Sequence, residues 1–288
     1  MKFSISLAYQ VGNAPSDFIF NLQAAQTLSQ RVLSENLWLS QAVGVDYLID
    51  NALANRYMRL RADPGPLTVN YEATVDIDHV FAAPETLGEA PIAHLPMHVL
   101  PFIYPSRYCQ SDRLRKLANR EFGHLAPGYW RAKAIQEWVQ ARTTFTSAST
   151  DSSTSAADTL IEQVGVCRDF AHLMIALCRA VNIPARFVSG IDYGADPALG
   201  PTDFHAYVEV YVGNRWYIFD PSGTAIPMGF IRIGTGRDAA DISFATMFGD
   251  VQSMAPLLAI AAVADDNGNC LLPFHRADAI STAGEFLS

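Results

Sequence analysis

The residue with the clearest chemical potential is Cys167, in the stretch Val164-Gly165-Val166-Cys167-Arg168-Asp169-Phe170-Ala171-His172-Leu173. Downstream, Phe170, Leu173, Met174, Leu177 and Val181 recur at the spacing of one buried helix face. Ile183-Pro184 cannot continue that helix, which therefore stops near Asn182. If Gly165 bends the chain sharply, Cys167 falls in the first turn, where unpaired N–H groups and the positive end of the helix dipole stabilise a thiolate. Taken alone, the segment fits a buried small hydrophobe better, as free cysteine usually is. A nucleophilic thiol also needs a base.

His172 follows Cys167 by five residues, about 140° around the helix, and points elsewhere. His275 has no patterned context and reads as a surface residue. His205 opens the alternating run His205-Ala206-Tyr207-Val208-Glu209-Val210-Tyr211-Val212, which ends at Gly213-Asn214, a two-residue hairpin signal. The returning strand Arg215-Trp216-Tyr217-Ile218-Phe219-Asp220 then sets the pairing: Val212 opposite Arg215, Tyr207 opposite Asp220, His205 opposite Ser222. His205 and Asp220 become diagonal neighbours on one face, about 7–8 Å apart at the backbone. An acid that orients an imidazole needs this geometry. Asp220 by itself is also a suitable turn residue before Pro221. Together, Cys167, His205 and Asp220 match thiol, imidazole and carboxylate in nucleophilic catalysis.

The elements that must position these groups are legible in outline. Alternation over Phe3–Tyr9, Val45–Ile49, Tyr57–Leu60 and Leu67–Ile77, with the turn Asp63-Pro64-Gly65-Pro66, predicts short antiparallel strands. Residues 82–106 carry five prolines and read as an irregular connection. Ser111 is positioned to cap a helix through Asp112–Phe122. A second helix covers Tyr129–Ala141, with Trp130, Ala134, Ile135 and Trp138 at helical spacing. Thr146–Thr159 reads as a surface loop, followed by helix from Leu160 through Val181. Strands follow near Ala185–Ile191, Ala206–Val212 and Trp216–Asp220. The fold class expected is α+β, with a β-rich region over 1–105 and a catalytic core with a C-terminal tail over 106–288.

Composition narrows the function. The 288 residues are half apolar and 17% charged, with a net charge of −9. No Lys/Arg block is long enough to track phosphates, so nucleic acid is not an expected partner. No apolar run is long enough to span a bilayer, and the first ten residues interleave polar with apolar side chains, so no membrane is expected and a cytoplasmic location is the default. Arginine outnumbers lysine 17 to three, which fits either compositional bias or avoidance of self-modification on lysine. Cys109, Cys167, Cys178 and Cys270 show no zinc-type spacing, and Pro96 interrupts the His94/His98 pair, so neither metal nor cofactor is expected. Cys109, Cys178 and Cys270 are expected to be structural.

The motifs Gly165–Leu173, Ile183–Gly190, Phe204–Val210 and Trp216–Ser222, in this order and spacing, resemble the bacterial transglutaminase-like superfamily. Pro105–Asp112 and Gly236–Ile242 extend the likeness, which runs over roughly residues 1–260. It implies a papain-like core with the cysteine helix packed on the sheet that carries His and Asp, and a β-rich N-terminal accessory domain. It also assigns nucleophile, base and orienting acid to Cys167, His205 and Asp220, acting through a thioester acyl-enzyme. Related sequences typically read His-Ala-Trp at the base, whereas this chain reads His205-Ala206-Tyr207. The motif does not fix the oxyanion donor: the Cys167 N–H and the Gln163 side-chain amide are candidates, and Gln163 is as easily a solvated helix-end residue. Arg168, Asp169, Arg237, Asp238 and Asp241 are expected to serve structural ion pairs and caps. The expected activity is a cysteine-dependent amide-bond hydrolase, or peptidase, acting on a polypeptide or a small amide, because water is always available as acceptor. The alternatives are acyl transfer to an amine and a non-catalytic binding or scaffold module on the same fold.

Overall fold

The computed structural model of the chain describes residues 1–194, 202–264, 268, 270 and 272–284. Residues 195–201, within the loop expected at 191–203, lie outside the described residues. Seven strands come first: β1 (Lys2–Val11), β2 (Ser16–Phe20), β3 (Gln30–Leu39), β4 (Val45–Asp50), β5 (Asn55–Ala62), β6 (Gly65–Ile77) and β7 (Val80–Ala82). The inward alternation of β1 and β6 is as the sequence predicts, with Phe3, Ile5, Leu7, Leu67, Val69 and Tyr71 all buried. β4 forms where alternation places it, yet Tyr47 and Ile49 face solvent. β4 is the outermost strand of its sheet, and its apolar alternation there is uncovered.

After β7 the proline-rich connection makes three short 3₁₀ turns. Then come α1 (Ser111–Phe122), α2 (Tyr129–Arg142), β8 (Thr144–Phe145), α3 (Ala156–Glu162), β9 (Val164–Gly165) and α4 (Cys167–Ala180). Ser111 is the first helical residue rather than the cap, which is Gln110 and makes no side-chain capping bond. In α2 the buried stripe is Tyr129, Ala132, Ile135, Gln136 and Val139, so Trp130 turns outward and is 58% exposed. The Ser/Thr-rich stretch is not loop throughout. Its last residues begin α3, whose Asp158 carboxylate accepts the Ser155 N–H at 2.9 Å and the Ser155 hydroxyl at 2.6 Å.

The single helix expected over Leu160–Val181 is broken. Gln163 takes the left-handed conformation (φ 58°) and ends α3, and its carbonyl accepts the Thr144 N–H at 2.8 Å as β9 pairs with β8. The chain restarts as α4 at Cys167. The downstream strands are β10 (Ala185–Asp192), β11 (Phe204–Val212), β12 (Arg215–Phe219), β13 (Phe230–Gly236), β14 (Ala245–Phe248), β15 (Val251–Ser253), β16 (Leu257–Ala261) and β17 (Ala279–Ser281).

These strands build two packed units. β15-β1-β6-β3, with β16 also on β1, faces β14-β2-β5-β4 across a shared apolar core. The later sheet, ordered β12-β11-β10-β13, receives α4 on one face, and α1, α2 and α3 pack over α4 in turn. Ala206, Val208, Val210 and Val212 point toward that helical side. Ile191, Ile231 and Ile233 join the core of the first unit, so the two units share apolar contacts. The C-terminal strands β14–β16 lie in the β-rich unit, although they follow residue 106 in sequence.

His172 lies inside the helical layer, as the position on α4 requires. Its ring stacks on Tyr108 at 4.9 Å and its Nε2 accepts the Ala239 N–H at 3.2 Å. Burial, with Arg168 and Arg179 adding repulsion, lowers its pKa to about 3. A group depressed from about 6.5 contributes stability that is fully present above pH 6.5 and is lost as pH falls toward 3. Wild type and His172→Gln should therefore diverge below pH 6.5, the difference in unfolding free energy changing by up to about 1.4 kcal/mol per pH unit. Urea unfolding at pH 4.5, 5.5 and 7 measures it; parallel stability curves would exclude a buried neutral imidazole.

Candidate active site

Three local features bring the site together. The first is the break before α4, which makes Cys167 the first residue of that helix, where main-chain N–H groups have no partners in a preceding turn. Asp169 holds this end: it accepts the Val166 N–H at 3.0 Å and the Thr150 hydroxyl at 2.6 Å, and pairs with Arg168 at 2.9 Å. Arg168 and Asp169 are thus capping and ion-pair residues. Arg237 with Asp241, and Asp238 accepting the Tyr108 N–H, are likewise structural.

The second feature is the β11–β12 hairpin. Gly213 and Asn214 both have positive φ (55° and 58°), as a type I′ turn requires. Val212 pairs with Arg215 and Val208 with Phe219, the register that the sequence predicts. Continued one step, it brings Tyr207 opposite Asp220. The turn after β12 is built around Asp220, which accepts the Ser222 N–H (3.0 Å), the Ser222 hydroxyl (2.6 Å) and the Ala225 N–H (3.0 Å). Gln136 of α2 donates to the Asp220 carbonyl at 2.9 Å and ties the turn to the helical layer.

The third is the end-on approach of α4 to β11. The Cys167 sulfur lies 3.9 Å from the carbonyl of Phe204, the residue before His205, and its side chain is near enough to act on the charge of the His205 ring. His205 Nε2 is 3.5 Å from Asp220 Oδ1. Cys167, His205 and Asp220 are therefore contiguous. Gln163 is not part of this group: it is exposed, and its main chain caps α3.

Electrostatics follow the geometry. Burial alone would lower the His205 pKa, yet the charge of Asp192, then the Cys167 sulfur and Asp220, hold it well above its usual value. Burial would raise Asp220, but His205, the Ser222 hydroxyl and the Ala225 N–H hold it below the usual carboxylate value. The arrangement favours a protonated imidazole beside an ionised acid. The other thiols differ. Burial pushes Cys109 up to about 12 and Cys178 higher still. Cys270, expected to be structural, is exposed. Among the described residues no group of three or more His, Cys, Asp or Glu is placed to hold a metal.

Asp192 is the group that sequence reasoning missed. Its Oδ2 lies 3.4 Å from His205 Nδ1. The signal would have been the alternation of β10 from Gly190, which pairs with His205, but no short turn joins β10 to β11 to fix that register from sequence.

The "Bacterial transglutaminase, N-terminal domain" family matches residues 1–98, and the "Transglutaminase-like superfamily" core matches residues 115–221. A crystal structure of a putative cysteine protease from Cytophaga hutchinsonii is 39% identical, with the comparison covering 98% of this chain and 97% of that one at a TM-score of 0.89. The chain belongs to the transglutaminase-like superfamily. Its curated relatives include an uncharacterized protein of Mycobacterium leprae, 32% identical over 115 residues, and one of Mycobacterium tuberculosis, 34% identical over 143. Those stretches are 38% and 46% of this chain, and the chain spans under half the length of either relative. The transglutaminase-like core match, residues 115–221, encloses Cys167, His205 and Asp220. The fold is α+β, with a β-rich N-terminal region before this core. Among the described residues no helix is long and apolar enough to cross a membrane.

Proposed function

We propose that the protein is a cysteine-dependent amide-bond hydrolase in which Cys167 is the nucleophile, His205 the base and Asp220 the acid that orients the ring. The observation that carries this reading is the contiguity of the three side chains at the N-terminus of a buried helix. His205 takes the thiol proton, and the thiolate attacks the amide carbonyl carbon. Negative charge then develops on the carbonyl oxygen, and the Cys167 N–H is the donor nearest in sequence to that point. The imidazolium gives its proton to the leaving amine as the C–N bond breaks, leaving a thioester on Cys167. His205 next deprotonates water, which attacks the thioester; the acid departs and the thiol is restored. Aminolysis of the same thioester is the competing outcome.

The test is incubation with a glutamine-donor peptide and an isotopically labelled primary amine, read by mass spectrometry. The expected products are the free carboxylic acid and a transient thioester on Cys167, both absent from Cys167→Ala. Stable amine adducts as the main product would overturn hydrolysis in favour of transfer, and turnover that survives Cys167→Ala would overturn the nucleophile assignment.

A further inference from the structure

The imidazole of His205 has a carboxylate beside each ring nitrogen: Asp220 Oδ1 at 3.5 Å from Nε2, and Asp192 Oδ2 at 3.4 Å from Nδ1. One acid is enough to orient a ring, so the second needs its own account. Asp192 is 4% exposed and ends β10. Its Oδ1 accepts the hydroxyl of Tyr207, which is itself fully buried, while its Oδ2 has no hydrogen-bond partner. A buried carboxylate oxygen without a donor is costly unless a positive charge compensates it. The only side chain within salt-bridge distance of that oxygen among the described residues is His205.

The strands explain how Asp192 reaches the ring. Gly190 pairs directly with His205, and a Cβ there would come 1.9 Å from the Ile231 carbonyl. No side chain can stand opposite the imidazole at that position. The next residue on the same face is Asp192, a diagonal neighbour of His205. The Tyr207 ring lies edge-on to His205 at 4.7 Å and packs against Phe230 at 4.4 Å, so its hydroxyl is fixed. Tyr207 is also where this chain departs from the His-Ala-Trp pattern, and the phenol hydroxyl is what occupies Asp192 Oδ1.

We infer that Asp192, oriented by Tyr207, is a positioning residue that stabilises the protonated form of His205 from its Nδ1 side. The inference rests on the Cys167–His205 reading given above. The titratable groups facing the ring are Cys167 from α4, Asp192 from β10, Asp220 from the turn after β12 and Tyr207 from its own strand. Burial raises Asp192 to about 6, opposed by His205 and the Tyr207 hydroxyl. Above that pH its charge supports the imidazolium; below it the support is withdrawn.

The experiment follows the His205 ring by NMR in protein carrying isotope-labelled histidine, with the resonance assigned by its loss in His205→Gln. In parallel, the rate of Cys167 alkylation is measured from pH 5 to 10. Asp192→Asn keeps the shape and still accepts the Tyr207 hydroxyl. It should lower the His205 deprotonation midpoint by about one pH unit or more, and the alkylation profile should shift with it. Tyr207→Phe removes the donor to Asp192, favours the neutral acid and should shift the midpoint the same way by less. If Asp192→Asn does not fold, the Tyr207→Phe shift decides the question. Unmoved midpoints, with wild type showing a raised His205 and a reactive Cys167, would overturn the role of Asp192. An ordinary His205 midpoint and an unreactive Cys167 in wild type would instead overturn the underlying reading.

Discussion

In a Cys270→Ser background, replacing His205 by glutamine should slow haloacetamide alkylation of Cys167 at pH 6.5 by about 10- to 100-fold. A positioned base that takes the proton of a reacting group contributes typically about 100-fold or more, and the range follows from losing much of that assistance. Glutamine is polar but cannot hold the proton that the thiol gives up, so the variant falls back toward ordinary behaviour. Removing Cys270 matters because it is exposed and would otherwise label. Cys109 and Cys178 are buried, with thiol pKa values raised by burial, and should stay silent in the folded protein. Equal Cys167 rates in the two proteins would remove His205 from the activation of the thiol.

Glu209→Gln should destabilise the fold by about 3–5 kcal/mol, the range for breaking a buried ion pair from one side. Glu209 sits on the same face of β11 as His205 and Tyr207, and it is fully buried between two arginines. Arg186 reaches it at 2.7 Å from β10, and Arg232 from β13 binds both its oxygens. Arg186 also stacks on Trp216 at 4.1 Å, and the Arg232 main-chain N–H bonds to Gln30 of β3 at 2.8 Å. The variant would leave two buried guanidinium groups facing one another without the carboxylate. Burial would raise Glu209, but the two arginines hold it down to about 2. Its contribution to stability is therefore present above about pH 4.5 and is lost as pH falls toward 2. Denaturant unfolding of wild type and variant at pH 7 measures the loss; a change below 1 kcal/mol would show that the cluster is not held together by this charge.

Legibility from sequence depended on how local each constraint was. The β11–β12 register was readable because Gly213-Asn214 fixes it within four residues, and with it came the placement of His205 and Asp220. The position of Cys167 was readable only conditionally. Val164-Gly165 signals a bend, but the left-handed Gln163 that ends α3 depends on β9 pairing with β8, some 20 residues upstream. β3 escaped notice because Gln30–Leu39 lies at a sheet edge and keeps Leu33 and Trp38 exposed, so no alternation marks it. β14, β15 and β16 find their partners in β1 and β2, at separations no local pattern can encode. Asp192 escaped for the same reason, because its relation to His205 passes through the β10–β11 ladder rather than a short turn.

The position of β1 has a consequence for how the protein is made. On one side it pairs with β6; on the other it pairs with β15 and β16, where Lys2 meets Ala261 and Tyr9 meets Ser253. A ribosome delivers β1 long before these partners, with β2–β14 and the four helices in between. Until β15 and β16 emerge, one edge of β1 therefore has its N–H and C=O groups without their native partners. Pairings this distant in sequence also slow folding, since the loop must close before the contacts form. The β-rich unit is begun before the helical core and completed only after it.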